Sequence, residues 1–187
     1  MSKQLFAVAL SALLVACGGS EPAPKKEEAP KKEEHAHKEA PKPAAPAPAP
    51  AEAAVNVVKV EGEVAMVALE ANDMMKFNTN KIEVPAGKKV KLTLKHTGKL
   101  PAASMGHNFV LLKAGADGQA FATASMGAKD TDYIAAGVKD QVIANTKVVG
   151  GGEEVTIEFD APAAGEYTFL CSFPGHYAVM NGTFIVK

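Results

Sequence analysis

The sequence contains no arginine and no tryptophan. Without arginine, and with thirteen lysines nearly cancelled by fourteen aspartates and glutamates after residue 55, the chain offers no basic surface for a phosphate backbone. Only two cysteines are present, Cys17 and Cys171, so the C-terminal part has a single thiol. No apolar run is long enough to cross a bilayer as a helix. The most apolar one, Leu5 to Val15, spans eleven residues, where about 20 are needed. The stretch from Ser20 to Ala54 has no aromatic residue, almost no aliphatic one and eight of the twelve prolines. It cannot bury enough apolar surface to offset its ordering entropy. Aromatic and β-branched residues lie largely after that stretch, and 47% apolar residues overall suffice for one core there. One folded domain is therefore expected over residues 55–187.

The first residues read as an address. Lys3 gives a short positive start, the apolar run follows, and "LLVAC" closes it with small residues before a cysteine. This resembles the lipobox of bacterial lipoproteins, which implies a signal peptide over residues 1–16 and lipidation of Cys17 as the new N-terminus. Gly18 is not the aspartate that would favour inner-membrane retention. The resemblance therefore implies an outer-membrane anchor in a Gram-negative cell, with the domain facing the periplasm or the cell surface. The alternative is an ordinary secretory leader cut near Cys17, leaving a periplasmic protein. Residues 17–54 then form a tether: "APKKEE" at 23–28 repeats at 29–34, and "HAHKEA" leads into "PKPAAPAPAPA". Such a segment is expected to be disordered and extended, reaching on the order of 100 Å at about 3.1 Å per residue. His35 and His37 are solvated linker histidines or a loose metal site.

From Val55 onward the periodicity is that of strands. "VKLTLKH" (90–96) and "VTIEFD" (155–160) alternate apolar and polar residues between Gly, Pro or Asp. Further candidates are 64–69, 81–84, 108–112, 141–144, 167–171 and 183–186. Short strands at this spacing, with no long amphipathic helix, predict an all-β sandwich. Residues 119–138, rich in alanine and acidic residues, predict a flap with one or two helical turns.

"CSFPGHYAVM", residues 171–180, follows the strand "YTFLC" and turns at Pro174 and Gly175. Cysteine, histidine and methionine thus meet around one tight loop at an end of the sandwich, and "MGHNFVLL" (105–112) offers His107 beside it. Two imidazoles, a thiolate and a weak thioether are the donor set of a blue-copper electron-transfer centre. Zinc is the rival, since thiolate and imidazole suit it equally, but methionine is a poor fourth ligand for zinc. Taken singly, each residue is more often a buried hydrophobe, a hydrogen-bonded core histidine or a core filler.

The stretches "NDMMKFNTNKIEV", "LPAASMGHNFVL", "VIANTKVVGGGE" and "CSFPGHYAVMNGT" make the chain from about Glu63 to Lys187 resemble azurin, a family of bacterial cupredoxins. The lipobox and tether resemble those of lipid-modified azurins. The resemblance implies a Greek-key, cupredoxin-like β-sandwich holding one type 1 copper. Its implied ligands are His107, Cys171 and His176, with Met180 as the weak axial sulfur and the Gly106 carbonyl opposite. It also implies that Asn108 ties the two ligand loops together and that Phe173 lends its backbone N–H to the Cys171 sulfur, setting ligand orientation and potential. In azurins an edge of the second histidine reaches an apolar patch through which electrons pass. The candidates here are Met75, Met105, Met126, Phe173, Pro174 and Val179, for most of which plain core packing is an equal alternative.

The implied function is a membrane-tethered shuttle of single electrons between periplasmic partners, not an enzyme. By resemblance the partners are c-type cytochromes and acceptors such as nitrite reductase or a cytochrome peroxidase, with no nucleic acid among them. Copper delivery or buffering without redox turnover is the second function class. The chain also departs from the family. Ala65 and Gly87 stand where azurins carry a disulfide, Phe109 stands where some bury a tryptophan, and Asn145 replaces a histidine of some relatives. Tyr177 is larger than the usual neighbour of the exposed ligand and is expected to reshape the docking patch. His96 matches a histidine that titrates in some azurins, and its plainer reading is a neutral, satisfied ring.

Overall fold

The computed structural model describes residues 57–187. The leader, Cys17 and the tether lie outside the described residues. Ten strands form two five-stranded sheets. The first sheet holds β1 (Val58–Glu61), β2 (Val64–Asn72), β5 (Lys89–His96) and β8 (Glu154–Asp160) in that spatial order, with β3 (Lys76–Phe77) also on β2. The second runs β4 (Lys81–Val84), β10 (Asn181–Val186), β9 (Gly165–Leu170), β6 (Val110–Leu112) and β7 (Val142–Asn145). Two pairs are parallel, β2 with β5 and β4 with β10, and the rest are antiparallel. The chain changes sheet between β3 and β4 and again before β5, as the Greek-key sandwich requires.

The alternation in β5 shows how the sequence builds the sandwich. Val90, Leu92, Leu94 and His96 point inward and are fully buried, while Lys89, Lys91, Thr93 and Lys95 face outward. Opposite them on β8 stand Asp160, Glu158, Thr156 and Glu154 in register. Lys89 pairs with Asp160 at 3.1 Å, Lys91 with Glu158 at 3.8 Å, and the Thr93 and Thr156 hydroxyls lie 2.8 Å apart. Exposed pairs of this kind contribute at most about 1 kcal/mol each. They pin the register instead, and their charges blunt β8 as an edge strand.

Between the sheets the core is aliphatic with a ring cluster at its centre. Phe169 contacts Phe77 and Phe109, with ring centroids 5.7 Å apart in both pairs. Phe109, in place of a tryptophan, is fully buried. Strand β6 is buried at all three positions for a specific reason. Leu111 faces the sandwich, while Val110 and Leu112 face a second cluster with Phe121, Ile134 and Leu170. That second cluster lies under the expected flap. The flap contains helix α2 (Gly118–Ser125) and two short 3-10 turns at Lys129–Thr131 and Ala136–Gln141. Asp117 caps α2, accepting from the backbone N–H groups of Gln119 and Ala120 at 2.9 and 3.0 Å.

Three elements were not expected from the sequence. A one-turn helix, α1 (Ala102–Met105), follows Pro101. Strand β3 pairs with only two residues of β2. Strand β1, turned at Gly62 with φ +57°, covers the first half of the β2 edge. It pairs Val60 with Ala65, one of the two positions where azurins carry a disulfide, so here backbone pairing secures the start of β2.

Phe169→Ala is expected to lower stability by about 3–5 kcal/mol, because it leaves a cavity between Phe77 and Phe109. The shift in urea midpoint of the metal-free protein measures it, and a loss below 1 kcal/mol would show that the ring cluster does not organise the core.

Candidate metal centre

The two stretches singled out by the sequence meet at one end of the sandwich. Alternation along β9 turns Phe169 into the sandwich, Leu170 toward the flap and Cys171 inward again. Beyond Cys171 the chain makes a single tight turn. His176 N–H donates to Phe173 O at 3.0 Å, Met180 N–H to His176 O at 2.9 Å and Cys171 N–H to Met180 O at 3.0 Å. Gly175 supplies the φ of +84° that this turn needs. Met180 is thereby fixed beside Cys171 with its side chain fully buried. On the other stretch, His107 forms a two-way backbone bridge with Val149 at 3.0 and 2.9 Å. Gly106 before it is buried because α1, Val148 and the Phe173 ring leave no room for a Cβ.

The donor atoms form a small triangle. His107 Nδ1 and His176 Nδ1 lie 3.2 Å apart, and Cys171 Sγ lies 3.9 Å from the first and 3.7 Å from the second. A point in that plane lies about 2.1 Å from all three atoms, within the ~2.0–2.3 Å span of metal bonds to imidazole and thiolate. The rings are oriented to suit. His107 Nε2–H donates to the Asn72 carbonyl at 2.9 Å, which fixes the tautomer and leaves the Nδ1 lone pair facing the triangle. His176 is 3% exposed. Every buried side-chain nitrogen and oxygen among the described residues has a partner. Nε2 of His176 bonds to no protein group, so it is the edge that reaches solvent.

Burial sets the protonation of the three donors. Desolvation pushes His107 and His176 down to about 4 and the Cys171 thiol up to about 11, against the pull of the Asn108 and Phe173 N–H groups directed at its sulfur. At neutral pH the imidazoles are free bases and the thiol keeps its proton. The Asn108 side chain ties the loops, as expected. Its Nδ2 donates to Ser172 Oγ at 2.9 Å and to Asp132 O at 2.7 Å, and its Oδ1 accepts from Ser172 N–H at 2.9 Å. Thr146 Oγ1 accepts from Phe109 N–H at 2.9 Å.

His96 ends the inward row of β5 and lies 4.6 Å from His107, ring to ring. Its Nδ1 accepts from Gly98 N–H at 3.0 Å and its Nε2 donates to Met105 O at 2.9 Å. Both ring nitrogens thus have partners, and Asp73 Oδ1 lies 3.8 Å from Nε2. Of the expected patch, Val179 and Met126 are 59% and 50% exposed, and Met75, Met105 and Pro174 are partly buried. Phe173 does not belong to the surface: it is buried, with its ring between those of Tyr133 and His176. Tyr177 packs under the flap. The sequence reading missed Met74 and Leu100, exposed at 69% and 43%. The Asn72 carbonyl has no residue signature because it is a backbone acceptor, and Asp132 acts through its carbonyl on Asn108 and its carboxylate on Val148 N–H, neither of which a sequence pattern marks.

Residues 63–187 match the family model of copper-binding proteins of the plastocyanin/azurin family. Outer membrane protein H.8 of Neisseria meningitidis is 50% identical over 117 residues, covering 61% of this chain and 63% of that protein. The chain thus matches less than two thirds of that relative's length. Azurin of Alcaligenes faecalis is 48% identical over 122 residues, covering 63% of this chain and 94% of that protein. Among solved structures, auracyanin A, a "blue" copper protein from Chloroflexus aurantiacus, superposes with a TM-score of 0.61 at 30% identity, covering 66% of this chain and 99% of that one. The chain belongs to the plastocyanin/azurin family of copper-binding proteins, and the donor triangle with Met180 beside it fits one type 1 copper.

The protonation pattern predicts two measurements on the metal-free protein. Copper binding at pH 7 should release one proton, from the thiol and not from the imidazoles, by titration in weak buffer. Above pH 6.5 the two histidines are neutral both folded and unfolded. As the pH falls from 6.5 through about 4, the unfolded chain takes up protons that the folded chain refuses, so stability should drop across that window. A urea midpoint unchanged between pH 7 and pH 4 would contradict buried neutral imidazoles.

Proposed function

We propose that the chain is a membrane-tethered carrier of single electrons, in which His107, Cys171 and His176 would hold a copper ion. Met180 and the Gly106 carbonyl would complete its donor set. The observation that carries this reading is the donor triangle, whose dimensions match metal bonds to two imidazoles and a thiolate. Bound copper supplies a one-electron Cu(II)/Cu(I) couple. The protein residues supply the rest. The imidazole lone pairs are pre-aimed, the thiol proton is the one group displaced on binding, and backbone N–H groups moderate the charge left on sulfur. Donors held in place by the Asn72 carbonyl and the Asn108 bonds would keep reorganisation small. The five named groups leave no open position for a substrate, which supports a carrier over an enzyme.

The partly exposed edge of His176 and its apolar surroundings support an electron port there, with Met75, Met105, Met126, Pro174 and Val179 joined by Met74 and Leu100. A nearly neutral apolar face suits brief, weak encounters with partners such as c-type cytochromes and, as acceptors, nitrite reductase or a cytochrome peroxidase. Delivery or buffering of copper is the second reading. The buried thiolate opposes it, since a delivery site must release its metal.

For the cellular address, similarity to the neisserial outer membrane protein H.8 adds to the lipobox at Cys17. Lipidation there would place the copper domain on a tether of residues 17–54 at the outer membrane. More than one acyl chain anchors a protein stably, where a single one exchanges, and the tether raises the local concentration of the domain near membrane partners.

The purified chain with Cu(II) should show an intense blue band that disappears on reduction, and a colourless protein would overturn the assignment. Met180→Leu should keep that band while raising the reduction potential, because losing a weak axial donor disfavours Cu(II) more than Cu(I). Cys171→Ser should lose the band even where copper stays bound. Cys17→Ala should move the protein from the membrane to the soluble fraction, or stall its processing. Unchanged membrane retention would refute the anchor.

A further inference from the structure

We propose that Tyr177 is a positioning residue that locks the flap onto the ligand loop and thereby holds His176 in place. This rests on His176 being a copper ligand. The loop and the flap are interlocked in both directions. From the flap, the buried Tyr133 ring meets Phe173 edge-on at 5.0 Å, and the Phe173 ring lies 4.6 Å from that of His176. From the loop, Tyr177 inserts into the cluster beneath the flap. There it lies against Gly118, the first residue of α2. A Cβ on Gly118 would fall 2.9 Å from Tyr177 Cε2, 3.2 Å from its hydroxyl oxygen and 3.3 Å from Leu170 Cδ2, so a methyl there would push the ring aside. The backbone at Tyr177 is fixed independently, its carbonyl accepting from Asn181 Nδ2 at 2.7 Å.

The flap bears strain where it meets the loops. Asp132 and Tyr133 are consecutive non-glycine residues with φ of +54° and +56°, a left-handed conformation that side chains disfavour. It presents the Asp132 carbonyl to Asn108 and the Tyr133 ring to Phe173. Val148 N–H donates to Asp132 Oδ1 at 2.8 Å and braces the turn. Tyr177 is the loop's reciprocal contribution. An aromatic ring partly buried between two elements resists their sliding through its packing contacts. A ligand on a turn of ten residues, 171–180, gains from such outside support.

The test uses the full chain and the variants Tyr177→Ala, Tyr177→Phe, Gly118→Ala and the Tyr177→Ala/Gly118→Ala double. Two quantities are followed. One is hydrogen exchange of the backbone amides of residues 118–126. The other is the rate at which excess bicinchoninate extracts Cu(I). Tyr177→Ala should raise both at least tenfold, and Tyr177→Phe should restore both, because the ring and not the hydroxyl makes the contact. Gly118→Ala should resemble Tyr177→Ala, since its methyl displaces the ring, and should add nothing in the Tyr177→Ala background. Unchanged exchange and extraction in Tyr177→Ala, or fully additive effects in the double variant, would overturn the proposal. If the wild-type chain took up no copper, the ligand assignment would fall, while amide exchange in the metal-free variants would still decide whether Tyr177 couples loop to flap.

Discussion

Two imidazole nitrogens 3.2 Å apart and a thiol sulfur 3.7 and 3.9 Å from them form the cluster on which the rest of the structure depends. Three such donors brought together out of water gain most from a shared cation, and the surrounding structure serves to hold them at that spacing. Burial keeps the imidazoles unprotonated and so ready to bind, while the thiol, which the same burial raises, must give up its proton as a metal enters.

The supporting bonds are of two kinds, and they divide the labour. Backbone groups orient the donors: the Asn72 carbonyl on His107, and the Asn108 and Phe173 N–H groups on sulfur. Side chains hold the loops that carry them: Asn108 to Ser172 and Asp132, and Thr146 to Phe109. The first group determines charge and tautomer at the metal, the second determines rigidity. A carrier that cycles one electron needs both, because a donor that relaxes after each transfer adds to the barrier of the next. The outward face of the first sheet takes no part. Its lysines and acids neutralise one another across β5 and β8, which leaves the metal end as the face with exposed apolar side chains near the site.

Local patterns were legible from the amino acids alone. Cys171, His176 and Met180 lie within one turn of ten residues, so their convergence follows from chain geometry at short range. Alternation in 90–96 and 155–160 gave the strands because a half-buried strand repeats every two residues. The breakdown of composition before Val55 marked a segment unable to form a core. The resemblance carried His107, whose pairing with a loop more than sixty residues away no local pattern encodes.

Tertiary structure decided the rest, for reasons that are physical. Strand β1 forms because the β2 edge offers unpaired backbone, a property of β2 and not of Val58–Glu61. The side on which Tyr177 packs depends on a glycine 59 positions earlier in the chain. Residue type leaves Phe173 open between a surface patch and the core, and the flap buries it. His96 became a ring bonded at both nitrogens only when β5 ended beside Met105 and the 96–98 turn. The sequence by itself determined the donor chemistry, the strand periodicity and the long polar lead-in, since those depend on residue type and short-range spacing. The protonation of the donors, the tautomer of His107 and the clamp of flap on loop depend on which distant backbone groups and rings arrive beside them, and only the folded chain brings those together.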